Sequence, residues 1–187
     1  MGTSASSNIQ YGEDIDSIIQ TLNYTIVCGI EIKNSTKYTL HSPKTIVQWG
    51  FLLSPPPTAI KPGGKGHFIG HKHSAGVTGT TGVVSYLIGD SDLRMVIMWS
   101  APYNFDFFDN RLAVGFIKFN DDRDIYNRMY YKNDDKFDRD NYCRSCNIIT
   151  SNRDGFIIQG IMGTSHKSKV EVELSERSQM DRSRARF

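Results

Sequence analysis

The segment Ser100-Ala101-Pro102-Tyr103-Asn104-Phe105-Asp106-Phe107-Phe108-Asp109-Asn110 sets four aromatic rings among carboxylates and amides, with little apolar periodicity. Rings without a strand or helix period share no face to bury, so several must stand in a loop, where a ring serves to touch something else. Downstream, Tyr126, Tyr130 and Tyr131 fall on a short predicted helix, within reach of that loop. Rings gathered in this way suit a cation with an apolar body. The ring quadrupole attracts the charge while the ring faces cover the hydrocarbon, and choline is such a cation.

No other set of residues makes a convincing reactive centre. Ser165 adjoins His166, but neighbours in a strand point to opposite faces, and no nucleophile-elbow glycines surround them. The acids of Asp121-Asp122-Arg123-Asp124 and Asp134-Asp135-Lys136 are interleaved with bases, the pattern of solvated turns. Three cysteines leave at least one unpaired, so disulfides are not expected to hold the fold. Cys143-Arg144-Ser145-Cys146 is a lone CxxC, for which His67, His71 and His73 are the only cluster able to complete a zinc set. Free thiols and loop histidines are the simpler account. The glycines of Lys61-Pro62-Gly63-Gly64 fail the phosphate-loop spacing. The chain is therefore read as a non-enzyme, with no catalytic residues, no metal and no cofactor.

The 187 residues, 39 % of them hydrophobic, suffice for one domain with a real core. A net charge of +2 and a pI near 8.4, with no basic stripe, argue against a nucleic-acid partner. No apolar run approaches the ~20 residues of a membrane helix, and residues 1–7 lack the charged-then-apolar order of a signal peptide. The expectation is a soluble protein, secreted and acting on target-cell membranes, with a cytoplasmic location left open by the missing signal. Asn23-Tyr24-Thr25 and Asn34-Ser35-Thr36 match the glycosylation pattern, and Gly2 with Ser6 matches that for myristoylation.

The elements that must position these rings are mostly strands. Ile15, Ile18, Ile19 and Leu22 recur at helical spacing behind Glu13, Asp14 and Asp16, predicting an amphipathic helix of about ten to twelve residues that ends near Asn23. β-Branched content then predicts a strand at 25–32, and turn clusters at Pro55-Pro56-Pro57 and Pro62-Gly63-Gly64 separate a strand ending near Leu53 from one at 67–69. Further strands are expected at 82–88, 94–99, 112–119, 155–161 and 169–174, a spacing that suggests a sandwich or barrel. Asp121 or Asp122 is the expected N-cap of a second helix carrying Ile125 and Met129 toward the core and Tyr126 and Tyr130 beside them. The division expected is an N-terminal helical segment (1–24), a sandwich domain (25–175) and a disordered basic tail (176–187) with Arg182, Arg184 and Arg186.

Three blocks carry a resemblance. Thr80-Thr81-Gly82-Val83-Val84-Ser85-Tyr86-Leu87, Ser100-Ala101-Pro102-Tyr103-Asn104-Phe105 and Tyr126-Asn127-Arg128-Met129-Tyr130-Tyr131 are similar in order and spacing to those of the actinoporins, the sea-anemone pore-forming cytolysins, and their animal and plant relatives. The resemblance spans residues 25–174. It implies a mainly β fold, a compact β-sandwich flanked by two short α-helices. It also implies a phosphocholine site, an exposed aromatic cluster that adsorbs on sphingomyelin-containing bilayers, and an N-terminal helix that detaches, inserts and oligomerises into a cation-permeable pore. By position, the resemblance assigns lipid headgroup binding to Thr81, Ser100, Pro102, Phe108, Tyr126, Tyr130 and Tyr131. It assigns the membrane interface to Phe105, Phe107, Phe108 and Arg111, and the pore helix to Ile15, Ile18, Ile19 and Leu22.

The chain departs from that pattern in places. Phe107, Arg111 and Leu112 stand where the family's exposed cluster is rich in tryptophan, which should weaken adsorption on a neutral membrane and lets Arg111 favour a phosphate or acidic lipid. A valine of the family's headgroup pocket falls near Thr81, and the family's Arg-Gly-Asp segment appears only as Asp138-Arg139-Asp140, with Arg139 as the stand-in for its basic residue. A helix over residues 13–22 spans only ~15 Å against a ~30 Å hydrocarbon core, and only extension from Asn8 to Val27 would match it. The expected partners are membrane lipids bearing phosphocholine, above all sphingomyelin, and further copies of the chain on the membrane. The alternative is a non-lytic lectin or lipid-binding protein on the same fold, with glycans as partners.

Overall fold

The structure is a computed structural model and describes residues 14–132, 134–142 and 145–177. Gly2, Asn8, Glu13, Cys143 and the basic tail with Arg182, Arg184 and Arg186 lie outside the described residues.

Asp14 caps the first helix, α1 (Ile15–Thr21), its carboxylate accepting from the Asp16 amide at 3.3 Å. Ile15, Ile18 and Ile19 form its buried stripe. The helix is shorter than the sequence predicts, because Leu22 turns to extended backbone (ψ 136°) and Lys167 Nζ donates to the Gln20 and Leu22 carbonyls at 2.9 and 2.8 Å. A lysine at this end also complements the helix dipole.

Twelve strands follow among the described residues: β1 (Val27–Ser35), β2 (Leu40–Trp49), β3 (Phe51–Ser54), β4 (Ala59–Ile60), β5 (Lys65–His71), β6 (Thr80–Ile88), β7 (Leu93–Ala101), β8 (Asn110–Lys118), β9 (Phe137–Tyr142), β10 (Ile149–Arg153), β11 (Phe156–Met162) and β12 (Lys167–Glu176). They form two six-stranded sheets, ordered β10-β11-β12-β1-β5-β3 and β4-β2-β6-β7-β8-β9. The helix α2 (Ile125–Tyr130) lies between β8 and β9 in the chain. The predicted sandwich with two short helices is the fold observed.

Alternation along each strand sends one set of side chains between the sheets and the other outward. Cys28, Ile30 and Ile32 of β1 meet Tyr86, Ile97, Trp99, Leu112 and Val114 across the sandwich in the central core. Each helix covers part of one outward face. Val27 and Ile69 lie under Ile15, Ile18 and Ile19 of α1, while Val83, Val96, Met98, Ala113 and Ile117 lie under Ile125 and Met129 of α2. Strand β7 is consequently buried on both faces along its whole length, and Leu93-Arg94-Met95-Val96-Ile97-Met98-Trp99 reads as a nearly unbroken apolar run.

Gly50 makes the crossing between sheets possible. It sits between β2 and β3 at φ +82°, and a Cβ there would stand 2.4 Å from the His71 carbonyl oxygen. Gly29 serves the helix in the same way: a Cβ on it would lie 2.8 Å from Ile19 Cγ2 and 3.0 Å from Ile15 Cδ1, so its absence lets α1 close onto the sheet.

Candidate functional site

Strand register builds the site. Trp49 of β2 pairs with Thr81 of β6, Thr81 with Ser100 of β7, Ser100 with Arg111 of β8, and Arg111 with Asn141 of β9. These residues form one row across the sheet. Helix α2 is fixed beside them by Ile125 and Met129, so Tyr126 and Tyr130, one position further round, stand over the row.

Between row and helix lies a cleft of about 330 Å³. Thr81 and Ser100 form its polar floor and Tyr126, Tyr130 and Tyr131 one wall. Trp49, Val77, Tyr103 and Phe108 reach its rim. Tyr126 and Tyr130 stack with centroids 5.4 Å apart, and Tyr130 and Tyr131 lie 4.5 Å apart at 59°. The Thr81 hydroxyl donates to the Trp99 carbonyl at 2.8 Å and stands 3.4 Å from Tyr126 Oη. Such a cleft offers ring faces and hydroxyls without a full charge in its floor, a combination that suits a cation with an apolar body and an attached anionic group.

The aromatic loop is held by Asn104. Its side-chain oxygen accepts from the Asp106 amide at 2.8 Å and its carbonyl from the Phe108 amide at 3.2 Å. The turn leaves Phe107 77 % and Phe108 58 % exposed, beside Tyr131 at 68 % and Trp49 at 54 %. Contiguous exposed rings of this kind mark a contact surface.

The structure thus gathers Thr81, Ser100, Pro102, Phe108, Tyr126, Tyr130 and Tyr131 around one cleft. Other expected residues stand elsewhere. Phe105 is half-buried, stacked on His166 with centroids 4.0 Å apart, and is not part of the exposed ring set. Arg111 is also half-buried, its guanidinium 4.4 Å from the Tyr130 centroid and donating to Asn141 Oδ1 at 2.7 Å. Ile15, Ile18 and Ile19 are docked on the sheet, with Leu22 packed against them.

Trp49 and Val77 escaped the sequence reading. The run Thr45-Ile46-Val47-Gln48-Trp49 falls in the strand expected to end near Leu53, but nothing local marks Trp49 as the register partner of Thr81. The aromatic loop has no tryptophan, yet its cleft does.

Asp124, at φ 53° and without a side-chain cap bond, precedes α2, whereas Asp121 or Asp122 was expected to. Asp121 is instead engaged by Arg128 and Lys136, and Asp122 by Lys44 at 2.7 Å. Arg128 also pairs with Asp134 at 2.9 Å, tying the helix down from both flanks. Loss of this partly buried pair in Arg128→Ala is expected to lower stability by about 1–3 kcal/mol, between the limits for exposed and buried ion pairs. Urea denaturation of the two proteins measures it.

Burial pushes the Tyr126 hydroxyl up to about 12, partly offset by Thr81. Its unfolded value is near 10. The neutral phenol is therefore favoured in the fold. The stability it contributes is present in full below pH ~10 and lost as pH rises toward ~12, and Tyr142, also raised by burial, acts in the same direction. Thermal melts across that window should show a steep loss of stability, less steep in Tyr126→Phe.

Among the described residues no group of three His, Cys, Asp or Glu side chains could hold a metal. His71 stacks on Tyr24, and the Ser165 hydroxyl donates to the Lys167 carbonyl while the His166 ring faces Phe105. No helix of the described residues is long and apolar enough to cross a membrane.

The chain is a two-sheet sandwich with a helix on the outer side of each sheet and a cleft rimmed by exposed aromatic rings. The chain belongs to the family described as sea anemone cytotoxic protein, whose model matches residues 15–176. It is 34 % identical over 168 residues to echotoxin-2 of Monoplex parthenopeus, covering 85 % of this chain and 60 % of that protein. To tereporin-Ca1 of Terebra anilis it is 29 % identical over 159 residues, covering 80 % and 84 %. In fold it is similar to the lipid binding protein Nakanori, with a TM-score of 0.69 at 16 % identity over 86 % of this chain and 76 % of that one.

Proposed function

We propose that the chain is a membrane-binding cytolysin that takes the phosphocholine headgroup of sphingomyelin in the cleft of Tyr126, Tyr130 and Tyr131. The observation that carries this reading is the convergence of those three rings with Ser100, Thr81 and Trp49 on one cleft. The ammonium sits against the ring faces, gaining about 0.5–2 kcal/mol per contact, and hydroxyls donate to the phosphate. Trp49, Phe107, Phe108 and Tyr131 rest at the level of the headgroups. Residues 1–24 form the segment that then leaves the sandwich and, joined by other copies, lines a cation-permeable pore.

Family membership and the names of the relatives, echotoxin-2 and tereporin-Ca1, support the lytic reading. A non-lytic lipid- or glycan-binding protein is the second reading, favoured by the brevity of α1 and its lysine-held end. Vesicles with and without sphingomyelin, scored for binding and dye leakage beside a glycan array, separate the two. Sphingomyelin-dependent binding with leakage is expected. Binding without leakage would favour the second reading, and no binding to any lipid would remove the first.

A further inference from the structure

A second cleft, of about 410 Å³, lies on the other side of the tyrosine pair, lined by Arg111, Tyr130, Tyr131, Arg139, Asp140 and Asn141. It continues the row of the aromatic cleft, since Arg111 is the register partner of Ser100 and Asn141 that of Arg111. Two half-buried guanidinium groups converge in it. Arg111 Nη1 and Arg139 Nη1 both donate to the Tyr130 carbonyl, at 3.0 and 3.1 Å, and Arg139 also reaches the Met129 carbonyl at 3.3 Å.

Two like charges on one carbonyl repel each other, and among the described residues neither forms an ion pair. The single carboxylate lining the cleft, Asp140, is occupied by the Asn141 amide at 2.8 Å and by Asn147 Nδ2 at 3.0 Å. Arg111 Nη2 and the Nε and Nη2 of Arg139 have no hydrogen-bond partner among the described residues. The carbonyls at the end of α2 hold both forks in fixed orientation, so their remaining donors are set in advance for a tetrahedral oxyanion.

We propose that this cleft binds a phosphate group through Arg111 and Arg139, beside the headgroup held in the aromatic cleft, with Tyr130 and Tyr131 as the wall between the two sites. The phosphate chemistry stands on the guanidinium pair alone. Its supply by an acidic phospholipid rests on the membrane reading of the neighbouring cleft. The chain would then respond to acidic lipid mixed among choline lipids.

The test uses the full chain and vesicles of phosphatidylcholine and sphingomyelin, with and without phosphatidic acid, and reads the ratio of binding between the two. Two basic residues near an acidic surface are worth about tenfold or more. The wild-type ratio should be of that size, collapse toward one in Arg139→Gln and in Arg111→Gln, and fall only in part in Arg139→Lys, which keeps the charge but loses the fork. A variant with Lys33→Gln and Lys37→Gln removes two charges at the opposite strand ends and should keep the ratio. An unchanged ratio in Arg139→Gln, or an equal fall in the lysine variant, overturns the proposal.

Inorganic phosphate separates the sources and needs no folded variant for its first reading. It should raise the melting temperature of the wild type and compete away the acidic-lipid increment. A melting rise that is lost in Arg139→Gln, without a vesicle increment, assigns the site to free phosphate. A lack of both overturns it. If the increment and the melting rise survive while pure choline vesicles fail to bind, the phosphocholine reading falls and this site stands.

Discussion

Replacing Tyr130 and Tyr131 together with alanine is expected to weaken binding to sphingomyelin vesicles by about one to three orders of magnitude, from two ring contacts of roughly 0.5–2 kcal/mol each. The fold should survive the change, because α2 is anchored by the buried Ile125 and Met129 and by the ion pairs of Arg128, none of which is touched. Tyr131 is mostly solvent-exposed and contributes little to packing. Tyr130 loses its stack on Tyr126 and the Arg111 guanidinium above it, so a small fall in melting temperature accompanies the large fall in affinity. Sedimentation with vesicles of increasing sphingomyelin content gives the affinity, and melting curves give the stability. Equal binding by both proteins would remove the tyrosine wall from the account.

Locking α1 to the sheet is expected to abolish dye leakage while leaving vesicle binding in place. A Cβ on Gly29 would meet Ile19 Cγ2 at 2.8 Å, so cysteines introduced at the two positions face each other, and Ile19→Cys removes that methyl while Ile15, 3.0 Å from the same Cβ, has to give by a few tenths of an ångström. Cys28 is buried and its thiol is raised by desolvation, which keeps it out of exchange, whereas Cys143 is changed to serine beforehand, as is the exposed Cys146. The oxidised Ile19→Cys/Gly29→Cys protein should bind and not leak, and a reductant should restore leakage. Leakage from the oxidised protein would show that the helix need not leave.

Much of this arrangement is legible in the sequence. Strands covered on both faces, such as β6, β7 and β8, read as apolar runs, and the isoleucine spacing of α1 marks its stripe. Strands open to water hide. Every residue of β2 from Lys44 to Trp49 is exposed, and the edge strand β9 reads Phe137-Asp138-Arg139-Asp140-Asn141-Tyr142, with the charges that guard a sheet edge. The strand expected to end near Leu53 is two strands, β2 and β3, separated at Gly50, and the pairing of Trp49 with Thr81 is a property of register. Missing β9 meant that Arg139 and Asn141 could not be placed beside Arg111, since that proximity is a property of register and not of local sequence. The loop aromatics were visible as rings with no face to bury. That Phe105 turns inward onto His166 while Phe107 and Phe108 turn outward depends on a turn made by Asn104 and on a residue far along the chain.

Titration of the chain in solution with phosphocholine, read through Trp49 emission, tests the central claim most directly, because it isolates the cleft from every contribution of the bilayer. Trp49 stands on the rim, and the second tryptophan, Trp99, is fully buried in the core and hydrogen-bonded to Thr80. A saturable change that disappears in Trp49→Phe and shifts to higher concentration in Tyr130→Ala/Tyr131→Ala is the predicted result. No saturable change, or the same titration curve with and without the two tyrosines, would contradict it.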